Sequence, residues 1–556
     1  MTTTPHPSTA RPRTRRGRTF DAALNRLFAL PPPTSDYTVT RGVRVPMRDG
    51  VELLGDHYAP TSQALGTLLV RGPYGRSGLY AVNYARLYAQ HGYHVLFTSS
   101  RGTFGSGGTF RPMVDEVEDG VDTLAWLREQ SWFGGRLVTV GLSYLGFTQW
   151  AMLMDPPPEL VGAIVIVGPH DFTRVAHGTG AFTLNDFLGW SDMVADQEKH
   201  GPLRSLVNMA RAEKRLAPVM QALPLREAGE RHLAGGAPWY GDWVSRRDLT
   251  EPFWRAHDMT AALDRVDVPV HLVGGWQDLF LDQTLEQYAR LHERGQDVSL
   301  TVGPWVHVDL VTKAAGVVGR EGLGFLAEHL AGTGTRTRRS PVRVHVTGAD
   351  EWRDLPAWPP ASTGQTLYLA PANGLGTEVP ADDAPTVGFT YDPADPTPTI
   401  GGRLLSQGMA GRRDDRALAE RGDVLAFTGP VLTAPLEVLG VPVVELAHTS
   451  DNPHADLFVR ISEVDATGRS RNVSDGFVRL DPSAPEGVVR LSLDAIAHRF
   501  AAGSRIRLLV AGGSYPRFER NLGTGEDPAT SSATARSRRT ITLAGGASTL
   551  VLPVTA

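Results

Sequence analysis

Between residues 67 and 303 the chain gathers its apolar residues into short unbroken runs: TLLVRG (67–72), HVLFTSS (94–100), RLVTVG (136–141), AIVIVG (163–168), VHLVGG (270–275) and VSLTVG (298–303). Strands buried on both faces read this way, without alternation. Between several of them, AVNYARLYAQHG and DEVEDGVDTLAWLREQ repeat apolar residues at spacings of three and four, the period of a helix with one buried face. The second opens on acids that suit a helix N-terminus. The pattern predicts a mainly parallel sheet with helices on both faces, a fold in which ligands bind beyond the carboxyl ends of the strands. Ahead of it, TVTRGVRVPMRDGVELLGDHYAP (38–60) alternates in polarity about the turn Arg48-Asp49-Gly50, as a hairpin should.

The rhythm breaks twice. Residues 171–264 are polar and helical, with Trp190, Trp239, Tyr240, Trp243 and Trp254 spread through them. They read as a cap inserted over the sheet edge, whose aromatics could line a pocket but more simply form the cap's own core. From about Ser340 the chain turns to short strands separated by Pro, Gly and Asp, among them VVELAH, LFVRISEV, GVVRLSL and RIRLLVAG, the signature of a separate antiparallel β-sandwich. The expected organisation is therefore a tail over residues 1–36, an α/β core over 37–170 and 265–338, the cap over 171–264 between its halves, and a β domain over 339–556.

Composition narrows the chemistry. At 556 residues the chain is too long for one hydrophobic core. A net charge of -5 gives no electrostatic case for nucleic acid, and no run approaches the roughly 18 apolar residues of a membrane span. With no cysteine, disulfides, thiolate-zinc sites and a cysteine nucleophile are excluded. Arg11, Arg13, Arg15, Arg16 and Arg18 precede DAALNRLFALPPP, which Asp21, Asn25 and Arg26 break as an export signal's apolar region. This reads as a disordered basic tail with a short helix on a cytoplasmic protein, export being the alternative; the prolines at 31–33 mark the start of the folded part. A homodimer is left open.

In VTVGLSYLGFTQWAMLM (138–154) an apolar run ends in a glycine, turns at Ser143 and becomes a helix. A strand that turns sharply into a helix lifts the apical side chain clear of the backbone, and Gly141 and Gly146 supply the small neighbours such a turn requires. The spacing G-x-S-x-x-G admits two readings, a nucleophile or a helix cap. Asp278 and His307 decide between them, because each stands just past one of the next two buried strands, in the order Ser, Asp, His that this fold class uses. His307 would take the Ser143 proton and Asp278 would hold the imidazole in the useful tautomer. The oxyanion would take the backbone N–H of Tyr144 and a second donor from an earlier loop, where Tyr74 stands; that phenol could equally pack the loop. Trp150, Trp276, Phe280 and Trp305 are expected near the substrate.

RGPYGR, SSRGTFGSGGTF, VGLSYLG, GGWQDLF and GPWVH occur in the order and spacing of the cocaine-esterase-like α/β-hydrolases, a family grouped with the Xaa-Pro dipeptidyl-peptidases. The chain resembles that family over about residues 40–555, its tail including YPRFERN (515–521) being similar to the family's C-terminal jelly-roll (galactose-binding-like) domain. The resemblance implies an α/β-hydrolase fold, Ser143, Asp278 and His307 as the catalytic triad, and the Tyr74 hydroxyl with the Tyr144 N–H as oxyanion hole. It also implies a cofactor-free hydrolase of small esters, amides or short peptides. Gln277 stands where the family often has an aromatic residue.

Weaker candidates remain. His91 and His94 have a metal-like spacing but no nearby carboxylate, so no metal site is expected. RGTFGSGG lacks the lysine and register of phosphate loops and more simply lies close to the active site. Arg71 and Arg101 fit structural ion pairs better than carboxylate binding. Two other functions stay open: a dipeptidyl-peptidase, for which Asp186, Asp192 or Asp196 would capture a substrate amine, and a carbohydrate-binding or scaffolding protein on a hydrolase fold.

Overall fold

The computed structural model describes residues 9–199, 208, 211–333, 338–406, 408–484 and 487–555. They form two units: Met1–Phe172, Pro252–Gly274 and Gln283–Val342 in the first, and Thr173–Glu251, Gly275–Asp282 and Arg343–Ala556 in the second.

The first unit is built on β1 (Tyr37–Pro46), β2 (Glu52–Pro60), β3 (Thr67–Gly72), β4 (His94–Ser99), β5 (Leu137–Leu142), β6 (Leu160–Ile166), β7 (Val270–Gln277, its last three residues grouping with the second unit) and β8 (Val298–Val306). Neighbours run β1-β2-β4-β3-β5-β6-β7-β8. The β1–β2 hairpin joins β4 antiparallel, and β4, β3, β5, β6 and β7 are mutually parallel. Every residue of β3 and β5 is buried, which is why those runs carry no alternation. Among the described residues no helix is long and apolar enough to cross a membrane.

The N-terminal arginines depart from expectation. Residues 9–36 are not a loose tail: Arg11–Pro12 pairs antiparallel with Thr38–Val39, and Arg15–Leu27 is helical, with Asp21 and Asn25 as its buried residues. Asp21 accepts from Arg13 at 2.9 Å and from the Tyr37 hydroxyl at 3.1 Å, and it also pairs with Arg86. Asn25 and Gln90 exchange amide hydrogen bonds at 3.2 and 3.0 Å. The helix thus buries polar side chains, two of whose partners, Arg86 and Gln90, stand far away in sequence, and composition cannot show such partners.

In the second unit the helical stretch Thr173–Glu251 groups with the β-rich C-terminal part, whereas Pro252–Gly274 groups with the hydrolase sheet. Main-chain bonds run from Asn185 to the Pro516 carbonyl at 3.0 Å, from Leu225 to Pro528 at 2.9 Å and from Glu519 to Phe182 at 2.8 Å. Phe187, Trp190, Trp239 and Trp243 pack on one another, with ring centroids 5.2–6.1 Å apart, as the helical segment's own core. In the β part, Asp456–Val464 lies antiparallel between Ser470–Arg479 and Arg505–Ala511. Leu457, Val459 and Ile461 enter one apolar core, while Phe458 enters a smaller one with Leu509 and Ala511, so this strand is buried on both faces.

Glu519, within YPRFERN, ties the segments of this unit together. Its fully buried carboxylate accepts from Arg247 at 2.6 and 2.8 Å and from Arg479 at 2.6 Å. Burial alone would raise its pKa; Arg247 and Arg479 outweigh that and hold it at about 2 against an ordinary 4.5. Because the folded value is depressed, the stability this group contributes is present above its unfolded pKa and is lost as pH falls from about 4.5 towards 2. Glu519→Gln should lower the unfolding free energy by about 3–5 kcal/mol, since it leaves two guanidiniums underpaired. Thermal melts across that acid range should also show a shallower loss for the variant than for the parent chain.

Candidate active site

Ser143 sits between β5 and the helix Tyr144–Met152 at φ 58° and ψ −123°, a backbone region that costs a non-glycine residue energy. Its hydroxyl makes no capping bond to the helix, so the reading as an N-cap fails. The turn is held by the Ser143 N–H on the Ile166 carbonyl at 2.9 Å and by the Gly146 N–H on the Ser143 carbonyl at 2.8 Å. A Cβ at Gly141 would lie 2.4 Å from the Leu145 Cβ, and one at Gly146 would lie 2.4 Å from the Gly168 Cα. Both glycines of the motif are therefore steric requirements.

The residue after the serine is fixed through its side chain. The buried Tyr144 hydroxyl donates to Glu116 Oε1 at 2.9 Å and accepts from the Met113 N–H at 2.8 Å. Glu116 also accepts from Ser100 Oγ at 2.9 Å and from Arg71 at 2.9 Å, both ion-pair partners being buried. Burial pushes the Glu116 carboxyl up, against the pull of Arg71. It also holds the Tyr144 phenol well above its usual range, with the Glu116 charge acting in the same direction. Glu116 was legible only as an acid opening a helix; its bond to the residue behind the serine depends on tertiary packing.

Tyr74 is half-buried, stacked on Tyr80 with centroids 5.2 Å apart and edge-on to Tyr144 at 6.4 Å. The following Gly75 has φ 79°, and a Cβ there would meet the Phe104 ring at 2.8 Å, so RGTFGSGG packs directly on the Tyr74 loop. Arg101, at the start of that loop, is bound by Asp119 at 2.8 and 2.9 Å and by Asp49. Arg71 and Arg101 thus serve as structural ion-pair partners.

His307 is the residue after β8 and opens a 3₁₀ turn, His307–Val311, with 8% of its surface exposed. Asp278 belongs to the second unit; it is fully buried, and its Oδ1 accepts from the Phe280 N–H at 2.7 Å. Ser143, Tyr74, Tyr144 and His307 all belong to the first unit.

Two of the aromatics expected at the substrate have other duties. Trp150 is fully buried with its N–H on the Gly168 carbonyl at 3.1 Å. Trp276 gives its N–H to the His345 carbonyl at 2.7 Å and packs on Trp358 at 5.1 Å. Both are packing residues, because an indole with a committed donor and little exposed surface is part of a core. Trp305 covers Gly303, where a Cβ would be 2.4 Å from its ring, and Phe280 is 4% exposed. The Gln277 side chain makes long contacts to Asn472 and the Val473 carbonyl, at 3.4 and 3.5 Å.

His91 and His94 do not converge: His91 Nδ1 lies 2.7 Å from the Leu87 carbonyl, whereas His94 pairs with His57 at 3.0 Å. Among the described residues no group of three or more metal-ligating side chains occurs. Asp186 accepts from the Leu405 N–H at 2.7 Å, Asp192 pairs with Arg215 and His232, and Asp196 accepts from Asn208 at 2.7 Å.

Residues 49–309 match the X-Pro dipeptidyl-peptidase (S15 family), and residues 333–551 match the X-Pro dipeptidyl-peptidase C-terminal non-catalytic domain. The cocaine esterase of Rhodococcus sp. (strain MB1 Bresler) is 30% identical over 540 residues, 88% of this chain and 93% of the relative. An α-amino acid ester hydrolase structure superposes with a TM-score of 0.79 at 21% identity, covering 95% of this chain and 98% of the other. A CocE/NonD family hydrolase from Staphylococcus aureus does so with a TM-score of 0.67 at 17% identity, covering 94% of each. The fold is that of an α/β-hydrolase with a β-rich C-terminal domain, and the protein is a hydrolase of the serine-esterase class. Within that class, the chain belongs to the cocaine-esterase-like (CocE/NonD) family.

Gly146→Ala tests the steric basis of the turn. Its Cβ meets backbone, which cannot rotate away, so the variant should lose about 1–3 kcal/mol in denaturant unfolding and lose activity with it.

Proposed function

We propose that this chain hydrolyses carboxylic esters or amides through an acyl-enzyme, with Ser143 as nucleophile, His307 as its base and Asp278 as the group that orients the imidazole. The observation that carries this reading is the strained turn at Ser143, with its hydroxyl free of capping duty. The Ser143 oxygen attacks the substrate carbonyl as His307 takes its proton; the same proton then passes to the leaving alcohol or amine. The negative charge on the carbonyl oxygen is met by the Tyr144 N–H, whose residue is pinned by Glu116, and by the Tyr74 hydroxyl. Water, deprotonated by His307, releases the acid and regenerates the serine. The substrates are small esters or amides; the naming of a 30% identical relative as a cocaine esterase supports an ester.

A second reading, release of Xaa-Pro dipeptides, rests on the S15 match over residues 49–309. Hydrolysis rates of Ala-Pro-p-nitroanilide and p-nitrophenyl butyrate, compared on the same preparation, separate the two.

Ser143→Ala should cut p-nitrophenyl butyrate turnover on the order of 10⁶-fold and abolish fluorophosphonate labelling while the thermal melt is preserved. Turnover near the parent rate would overturn the assignment. For Tyr74→Phe the expected loss is roughly 10²–10³-fold in kcat with KM little changed; a change confined to KM would make Tyr74 a binding residue.

A further inference from the structure

The first unit contains a partly open cavity of about 870 Å³ where residues 9–20 cross the β1–β2 hairpin and the helical stretch Gly78–Arg86 that follows the Tyr74 loop. None of Ser143, Tyr74, Tyr144 or His307 lines it. Its size lies within the roughly 300–1,000 Å³ typical of small-molecule sites.

The lining is unusual in charge. Arg11, Arg13, Arg41, Arg76 and Arg86 all reach it. Three aspartates hold four of these arginines: Asp21 binds Arg13 and Arg86, Asp36 binds Arg13, and Asp56 binds Arg41 and Arg76. Arg11 has no ion-pair partner among the described residues. Five guanidiniums against three carboxylates leave the lining with two positive charges uncompensated. Asp21 and Asp56 are buried and the Arg41 side chain is 65% exposed, so Arg41 is anchored at one end and keeps donors open to the cavity, whereas Arg76 is taken up by Asp56, Ser99 and the Phe104 carbonyl. Each guanidinium has five N–H donors; among the described residues Arg41 spends one hydrogen bond on Asp56, and Arg86 spends one each on Tyr37 and Asp21.

The remaining wall is apolar and aromatic. Phe20, Tyr37, Tyr58, Leu79 and Val82 line it. Arg13 lies over the Tyr37 ring at 4.9 Å and Arg86 over Phe20 at 5.3 Å, which further limits their movement. Burial, reinforced by Asp21, pushes the Tyr37 phenol up to about 12, and burial with Asp56 does the same at Tyr58, so both rings add no negative charge. Pre-placed guanidinium forks beside aromatic faces match the planar or tetrahedral oxyanion of a ligand with an apolar body.

We propose that this cavity binds a small organic dianion of phosphate-monoester type carried on an aromatic or apolar group, at a site separate from the Ser143 centre. Calorimetry of the full chain with phenyl phosphate at low salt tests it, with phenol and inorganic phosphate as controls. Phenyl phosphate should bind at least tenfold more tightly than either control, and equally well after Ser143 has been labelled with a fluorophosphonate. Leu79→Trp, which fills the cavity, and the pair Arg11→Met with Arg41→Met should each weaken binding tenfold or more at an unchanged melting temperature. No binding at millimolar phenyl phosphate, affinity matched by phenol or by inorganic phosphate, loss on serine labelling, or parent-like binding by both variants would each overturn the proposal.

Discussion

The turn at Ser143 can exist only because three glycines around it carry no side chain. A positive φ at a serine is unfavourable, and here it is imposed by a strand whose last residues bond to β6 and a helix that begins at once. Gly146 and Gly168 approach so closely that a Cβ on either would strike the other's backbone, and Gly141 leaves room for Leu145. The sheet order places this turn after a strand with neighbours on both sides, so its geometry is over-determined by main-chain bonds on each flank. A loop free to relax would rotate the serine back into an ordinary conformation.

Around that turn, charge is buried only where it is matched. Glu116 meets Arg71, Ser100 and Tyr144; Glu519 meets Arg247 and Arg479. An unpaired charge in either place would be strongly destabilising, whereas a matched one mainly enforces a single arrangement. In the first unit the arrangement enforced is the placement of Tyr144, directly after the serine. In the second it is the attachment of the helical segment to the β strands. The N-terminal segment follows the same rule, with Asp21 and Asn25 facing inward and Phe20 left 52% exposed.

Part of the candidate site was legible along the chain because strand ends and their following residues are local features. Ser143 and His307 stand where buried runs stop, and the expected roles of Arg71 and Arg101 as ion-pair partners agree with their contacts. Trp150 and Trp276 were not legible in the same way. An indole near a strand end reads the same whether its far side faces a substrate or a backbone carbonyl, and here both N–H groups are taken by carbonyls. The arginines of residues 11–18 read as a tail for a similar reason: Asp21 and Asp36, which pair with Arg13, lie outside that run.

The sequence alone determined the parallel sheet, the β-rich C-terminal part, the serine turn and the absence of thiol chemistry, because burial on both faces, strand punctuation and composition are written in neighbouring residues. Tertiary structure alone decided that the helical segment shares a unit with the β strands, that Glu116 fixes the residue behind the serine, and that the N-terminal arginines line a cavity. Each of these depends on side chains tens to hundreds of residues apart meeting in space, and no local pattern encodes which of many compatible partners will meet.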